Sequence, residues 1–394
     1  MLLMRIFKAN HALFSFLSLV LFASLNAAAD PIIIPAPPEL AAKSYLLVDA
    51  KTGKVLVEKN ADEELSPASL TKMMTSYVVI NEILSGRIHE NDMVPVSDNA
   101  WRKGNSASGG STMFLEDRST ASVMDMLRGV IVQSGNDASI ALAEYVAGSE
   151  EGFADVMNQQ AALLGMKHSH FVNATGLTAE GHYTTARDLA ILAKAVINDH
   201  PKYYEIYAER SFTYNGHPQL NRNKLLFTNK FVDGIKTGHT NDAGYCLVAS
   251  EKHDDMRLIS VLLGASSENG RAAESQRLLA YGFRYYQTAK LYAADKAIDG
   301  LSQRVWKGET ENIDLVPAKD VYATIPRGSQ GGLVAQTHIN KIIEAPLKKG
   351  QELGELEVQL DGNTVAKAPL LAANDVPEAG FFSRLWDSAI LLFK

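Results

Sequence analysis

The chain has 394 residues, one cysteine and a formal net charge of −7, with 46% hydrophobic and 21% charged residues. This length accommodates two or three domains with apolar cores, and the charged fraction without a low-complexity tract excludes wholesale disorder. The acidic balance carries no basic stripe, which excludes a nucleic-acid footprint, and the lone Cys246 excludes a disulfide within the chain.

Residues 1–29 read as a secretory signal. Arg5 and Lys8 form its positive end, residues 12–25 its apolar middle, and Ala27-Ala28-Ala29 its small-residue cleavage site, so the mature chain is expected to start near Asp30. The apolar middle is too short for a comfortable membrane span. Pro31, Pro35, Pro37 and Pro38 then mark an extended lead-in. Residues 44–48 and 54–57 read as strands, joined by a turn at Asp49-Ala50-Lys51-Thr52-Gly53. A helix is expected over 66–84, with Ser66 as N-cap, Pro67 in the first helical position and Gly86 as its stop. Further helices are expected at 121–132, 138–147, 153–164 and 185–198, strands at 245–250 and 257–263, and a helix at 272–286. Strands at both ends with helices between imply an antiparallel sheet flanked by helices, an α+β domain over 30–287. Residues 288–376 change texture. Short β-prone runs at 321–325, 333–338 and 356–360, with an Asp361-Gly362 turn, read as a small all-β domain. In the last segment, 377–394, Phe382, Leu385, Trp386, Ala389, Ile390 and Phe393 share one helical face. About 15 helical residues span ~22 Å, short of a ~30 Å hydrocarbon core, so an amphipathic helix lying on a membrane surface is expected.

Three short motifs carry the chemistry: Ser69-Leu70-Thr71-Lys72, Ser134-Gly135-Asn136 and Lys236-Thr237-Gly238. Each also has a decoy. Lys51-Thr52-Gly53 repeats the third, but in a hairpin turn, and Ser97-Asp98-Asn99 repeats the second, but as a turn or N-cap. Ser69 and Lys72 are three apart on a helix and can touch. A serine hydroxyl needs a base, and a lysine serves when apolar surroundings and a second cation disfavour its charge. The helix supplies the first, and Lys236 is a candidate for the second. Ser134 can pass a proton to a leaving amine. Asn136 can orient Lys72 and hold a substrate amide. Lys236 and Thr237 can bind a carboxylate, and Gly238 leaves room for substrate backbone. The N–H groups of Ser69 and His239 can form an oxyanion hole.

This ordered triplet is the known signature of class A β-lactamases and penicillin-binding proteins. With their flanks, Pro67 to Thr75, Gln133 to Ala138 and Asp233 to Thr240, the motifs resemble those of the serine D-alanyl-D-alanine carboxypeptidases. These are low-molecular-mass penicillin-binding proteins, and the likeness is strongest to the branch of penicillin-binding proteins five and six. The resemblance implies a transpeptidase/β-lactamase-like fold and a serine acyl-enzyme formed on peptidoglycan stem peptides ending in D-Ala-D-Ala. It implies Ser69, Lys72 and Ser134 as catalytic residues and Asn136, Lys236, Thr237, Gly238, His239 and Arg271 as substrate-binding residues. It implies acylation by β-lactams, no metal or other cofactor, and a place on the periplasmic face of the inner membrane. The segment Asn173 to Glu180 lacks the glutamate pattern with which class A β-lactamases activate water, so slow release of bound penicillin is expected.

Overall fold

The computed structural model describes residues 33–104 and 110–393, so the expected export signal lies outside the described residues. Strand β1 (Ser44–Asp49) is followed by β2 (Val55–Lys59), which returns antiparallel beside it. Between them, one Asp49 carboxylate oxygen accepts from the N–H groups of Lys51 and Thr52, and Gly53 takes φ +74°. The first KTG copy is therefore turn chemistry, as its setting implies. The middle of the chain supplies α1 (Thr71–Leu84), β3 (Met93–Pro95), α2 (Asp98–Gly104), β4 (Thr120–Ser122), α3 (Val123–Arg128), α4 (Asn136–Ala147), α5 (Glu150–Leu164) and α6 (Ala186–Asp199). After α7 (Pro201–Tyr204), the hairpin β5 (Ser211–Tyr214) and β6 (His217–Leu220), and α8 (Leu225–Thr228), the chain returns to the sheet. Strands β7 (Val232–Thr240), β8 (Gly244–His253) and β9 (Met256–Ala265) complete the antiparallel order β2-β1-β9-β8-β7, and α9 (Glu268–Tyr285) follows.

Both faces of this sheet are covered. Leu46, Val48, Val248, Ile259 and Val261 join the core shared with α1 and α3 to α6, while Tyr45, Leu47, Leu247, Leu258 and Leu262 pack with Leu278 and Leu279 of α9. The alternation of strand side chains divides them. Helix α1 is buried at every position from Thr71 to Ile80. Polar groups on such a helix need internal partners. Accordingly Thr75 donates to Ala174 O at 2.7 Å, and the Ser76 hydroxyl lies 2.6 Å from that of Tyr207.

Two helix readings are corrected. The helix expected from Ser66 begins later. Ala68–Leu70 forms a 3-10 turn, Ala68 takes φ +47°, and α1 proper starts at Thr71, so Ser66 caps nothing. The helix expected over 121–132 is composite. Residues 121 and 122 belong to β4, α3 follows, and Gly129–Gln133 widens into a π turn that ends at Ser134 in the left-handed region, φ +64°. The decoy Ser97 caps α2 by accepting from Ala100 N–H.

The second part contains β10 (Tyr286–Tyr292), β11 (Ser302–Arg304), β12 (Asn312–Pro317), β13 (Val321–Pro326), β14 (Leu333–Ile339), β15 (Glu352–Leu360) and β16 (Asn363–Ala372). They form a β10-β13 pair and a sheet in the order β11-β12-β16-β15-β14, over a core of its own that includes Ile313, Leu315, Leu356, Val358 and Leu370. Asp361 and Gly362 join β15 to β16, both with positive φ, the conformation a two-residue hairpin of this hand needs. The first KTG turn is one place where the two parts meet. The Thr52 and Thr324 hydroxyls lie 2.5 Å apart, the Lys51 ammonium sits 4.0 Å from the Tyr322 ring centroid, and the Thr288 hydroxyl donates to Asp49. Helix α10 (Phe381–Leu391) ends the chain. Asp387 accepts from Lys307 N–H at 2.6 Å, while Phe382, Trp386 and Phe393 stand exposed. Among the described residues no helix is long and apolar enough to cross a membrane. Cys246 lies on β8 opposite Gly238, wholly buried, and burial pushes its thiol up to about 11.

Candidate active site

The three motifs meet at one cleft of about 980 Å³. Ser69 enters it from the 3-10 turn, Ser134 and Asn136 from the junction before α4, and Thr237, Gly238 and His239 from the edge strand β7. Arg271 of α9 also lines it. Lys72 is sealed beneath Ser69, and Lys236 is buried beside Thr237.

Among the described residues Lys72 has three hydrogen-bond partners, all uncharged. Its Nζ lies 3.1 Å from Ser69 Oγ, 2.8 Å from Asn136 Oδ1 and 2.5 Å from Thr175 O. Burial is the main force on its charge, followed by the Arg222 guanidinium, and together they bring the ammonium down to about 7 against the opposing pull of Asp137 and Glu150. The sequence reading offered Lys236 as the second cation; the one that acts most is Arg222, which it did not single out. Lys236 is itself pushed well below the ordinary lysine range, by burial first and then by Lys72, Arg222 and Arg271.

The Ser134 hydroxyl is buried and has no hydrogen-bond partner among the described residues, an uncommon state for a native side chain. It follows the π turn in a left-handed conformation that non-glycine residues seldom adopt. Next to it, Asp137 gathers the segment 112–115. Its carboxylate accepts from the Thr112 hydroxyl at 2.6 Å and from the N–H groups of Met113 and Leu115 at 2.9 and 3.0 Å. This holds the chain after the cleft-lining Gly110 and Ser111 against α4.

Gly238 serves a closer purpose than substrate access. A Cβ there would lie 3.0 Å from Pro67 O and 3.2 Å from Ser69 N, so its absence lets β7 press against the turn that carries Ser69. Gly176 allows a similar approach to Ala68. Its φ is +83°, and a Cβ would fall 1.8 Å from Ala68 O. His239 is exposed and stacked on Tyr245 with centroids 4.0 Å apart. Arg271 is buried and donates to Gly238 O at 3.0 Å.

All nine residues expected from the motifs and the resemblance thus lie in or directly under the cleft. Thr175, Asp137 and Arg222 had no role in the sequence reading. Asp137 stood inside the quoted second motif, whereas the Thr175 contribution is a backbone carbonyl that no sequence pattern announces.

A buried amine with its ammonium brought down to about 7 against a hydroxyl, with a second hydroxyl and a strand carrying a buried lysine and a threonine at the same cleft, defines a serine acyl-transfer enzyme that uses lysine where others use histidine. Comparison with known proteins agrees. Residues 32–267 match the family described as D-alanyl-D-alanine carboxypeptidase, and residues 286–378 match the penicillin-binding protein 5 C-terminal domain. The chain is 45% identical to D-alanyl-D-alanine carboxypeptidase DacA of Escherichia coli K12, over 92% of this chain and 90% of that one. It is 46% identical to DacC of the same organism, over 95% and 94%. A crystal structure of penicillin-binding protein 5 from Haemophilus influenzae superposes with a TM-score of 0.82 at 43% identity, covering 87% of this chain and all of the other. The chain belongs to the D-alanyl-D-alanine carboxypeptidase family.

Proposed function

We propose that the chain removes the terminal D-alanine from peptidoglycan stem peptides ending in D-Ala-D-Ala, with Ser69 as the acylated nucleophile and Lys72 as its base. The contacts of Lys72 carry this reading. Two of its three partners, Asn136 Oδ1 and Thr175 O, are carbonyl oxygens that can only accept. A neutral amine has two N–H bonds and one lone pair. Both N–H bonds go to the carbonyls, and the lone pair is left for the Ser69 hydroxyl. The amine is thereby pre-set to accept the Ser69 proton as the oxygen attacks the penultimate D-alanine carbonyl. The developing oxyanion is held by the Ser69 and His239 N–H groups. Ser134 returns a proton to the leaving amine of D-alanine, and Thr237, Lys236 and Arg271 hold its carboxylate. Water then takes the place of the lost amine and frees Ser69. A β-lactam enters the same path as a strained amide, and its ring-opened acyl group stays on the serine.

Helix α10 lies on the periplasmic face of the inner membrane in this reading. Its polar side is occupied by Asp387 and its contact with Lys307, and its aromatic side is left open by the described residues: Phe382 is 83% and Trp386 71% exposed. The chain then divides into a signal at 1–29, the enzyme at 30–287, the β domain at 288–376 and the anchor at 377–394.

The test is chemical. Fluorescent penicillin should label the wild-type protein on the peptide carrying Ser69 and leave Ser69→Ala unlabelled. A pentapeptide ending in D-Ala-D-Ala should release one free D-alanine per turnover. Labelling that survives Ser69→Ala would overturn the assignment.

A further inference from the structure

We propose that His182 is a positioning residue for the oxyanion hole, acting on the Ala68–Ser69 peptide group through the hydroxyl of Thr71. This rests on the reading of Ser69 as the nucleophile.

His182 is buried, and both of its ring nitrogens are engaged. Its Nδ1 accepts from Val172 N–H at 3.1 Å. A backbone N–H can only donate, so the ring proton sits on Nε2. That nitrogen lies 2.8 Å from Thr71 Oγ1, which in turn donates to Ala68 O at 2.9 Å. Every direction in the chain is therefore fixed: Val172 N–H to His182, His182 to Thr71, Thr71 to Ala68 O.

The end of this chain matters because Ala68 O and the Ser69 N–H are the two ends of one planar peptide group. Fixing the carbonyl fixes the N–H, which points the opposite way. Ala68 is held at φ +47°, a conformation with a cost that its surroundings must offset. Gly176 packs on the carbonyl, and Gly238 backs onto Ser69 N, so the peptide is contacted at both of its ends. A hydrogen bond accepted by a carbonyl also polarises its own peptide group and strengthens the N–H as a donor. A buried neutral imidazole is suited to this. Burial, reinforced by His170 and Lys72, drops its ring to about 4, so it stays a one-proton donor across the physiological range.

The experiment uses the full chain and four variants: His182→Leu, His182→Gln, Thr71→Val and the His182→Leu/Thr71→Val double. Acylation by a fluorescent penicillin is followed by stopped flow, and the ester carbonyl stretch of the acyl-enzyme by infrared difference spectroscopy. His182→Leu should slow acylation roughly 10- to 100-fold, less than deletion of an oxyanion donor itself, with the prior binding constant little changed. The ester stretch should move to higher frequency, because its hydrogen bonds weaken. His182→Gln keeps an N–H near the Nε2 position and should restore both readouts. Thr71→Val, which removes the contact with Ala68 O outright, should slow acylation at least as much as His182→Leu, and the double variant should be no slower than Thr71→Val alone. Three results would overturn the proposal: an unchanged stretch in His182→Leu, a loss that His182→Gln does not restore, or multiplicative losses in the double variant. A fold failure of His182→Leu leaves Thr71→Val to decide by the same stretch. Ser69→Ala, run alongside, tests the underlying nucleophile separately through the site of labelling.

Discussion

Lys72 is the residue on which the chemistry turns, and its protonation can be read as a rate. With its ammonium brought down to about 7, Lys72 is charged below that pH and cannot take the Ser69 proton. Acylation should therefore fall as pH drops through about 7 and level off above it, seen in kcat/KM for a D-Ala-D-Ala peptide. His182, held near 4, stays neutral throughout and adds no limb of its own in this window. Asn136→Asp places a negative charge where Lys72 now donates to an amide at 2.8 Å. It should favour the charged amine and carry the acid limb upward by roughly 1–3 pH units. Lys72→Arg should not acylate at all, since a guanidinium keeps its proton. Ser134 offers the opposite separation of stability from activity. Its hydroxyl is buried without a partner among the described residues, so Ser134→Ala should leave the melting temperature unchanged or higher. The same change should lower kcat by roughly 10²–10⁴ if Ser134 serves the leaving amine.

At the level of elements, the site is three segments clamped on one short turn. The loop at 173–176 sits on Ala68, β7 backs against Ser69, and α4 begins at Asn136. Gly176→Ala tests this clamp, because its φ of +83° and the 1.8 Å approach to Ala68 O leave no room for a methyl group. It should destabilise by roughly 1–3 kcal/mol or more, lowering the urea midpoint at unchanged m, and should slow acylation at the same time. The same clamp explains where sequence reasoning stopped. The contact of Ser69 with Lys72 was legible because a three-residue helical spacing survives whether the turn is 3-10 or α. The helix start was misjudged because Pro67 obeys a local rule, while the positive φ of Ala68 is set by a loop more than a hundred residues away. Both decoy motifs were legible from their turn chemistry. The short pairs β3-β4 and β5-β6 were not, being three or four residues each with little apolar alternation. Asp137 and Arg222 escaped notice because a lone charge has no period, and His182 because its partners lie in other elements.

For the whole molecule, the turn at 51–53 is one of the contacts that join the two parts, and α10 follows the second. The exposed aromatic side of α10 predicts that truncation before Pro377 releases the protein from phospholipid vesicles, with acylation unchanged; a truncated chain that still sediments with vesicles would place the anchor elsewhere. The change of texture near residue 287 was legible as a second all-β part because its strands are short and punctuated by Gly and Asp turns. Its tie to the first turn was not, since Lys51 and Thr52 look like any solvated loop until Tyr322 and Thr324 are brought against them. Finally, the chain holds a single thiol, sealed inside the sheet behind β7 and reluctant to ionise. Maleimide should leave the native protein unmodified for as long as it stays folded. A cysteine introduced anywhere on the surface would then be the sole reactive handle, so a dye or spin probe could be attached at will without first removing a native residue.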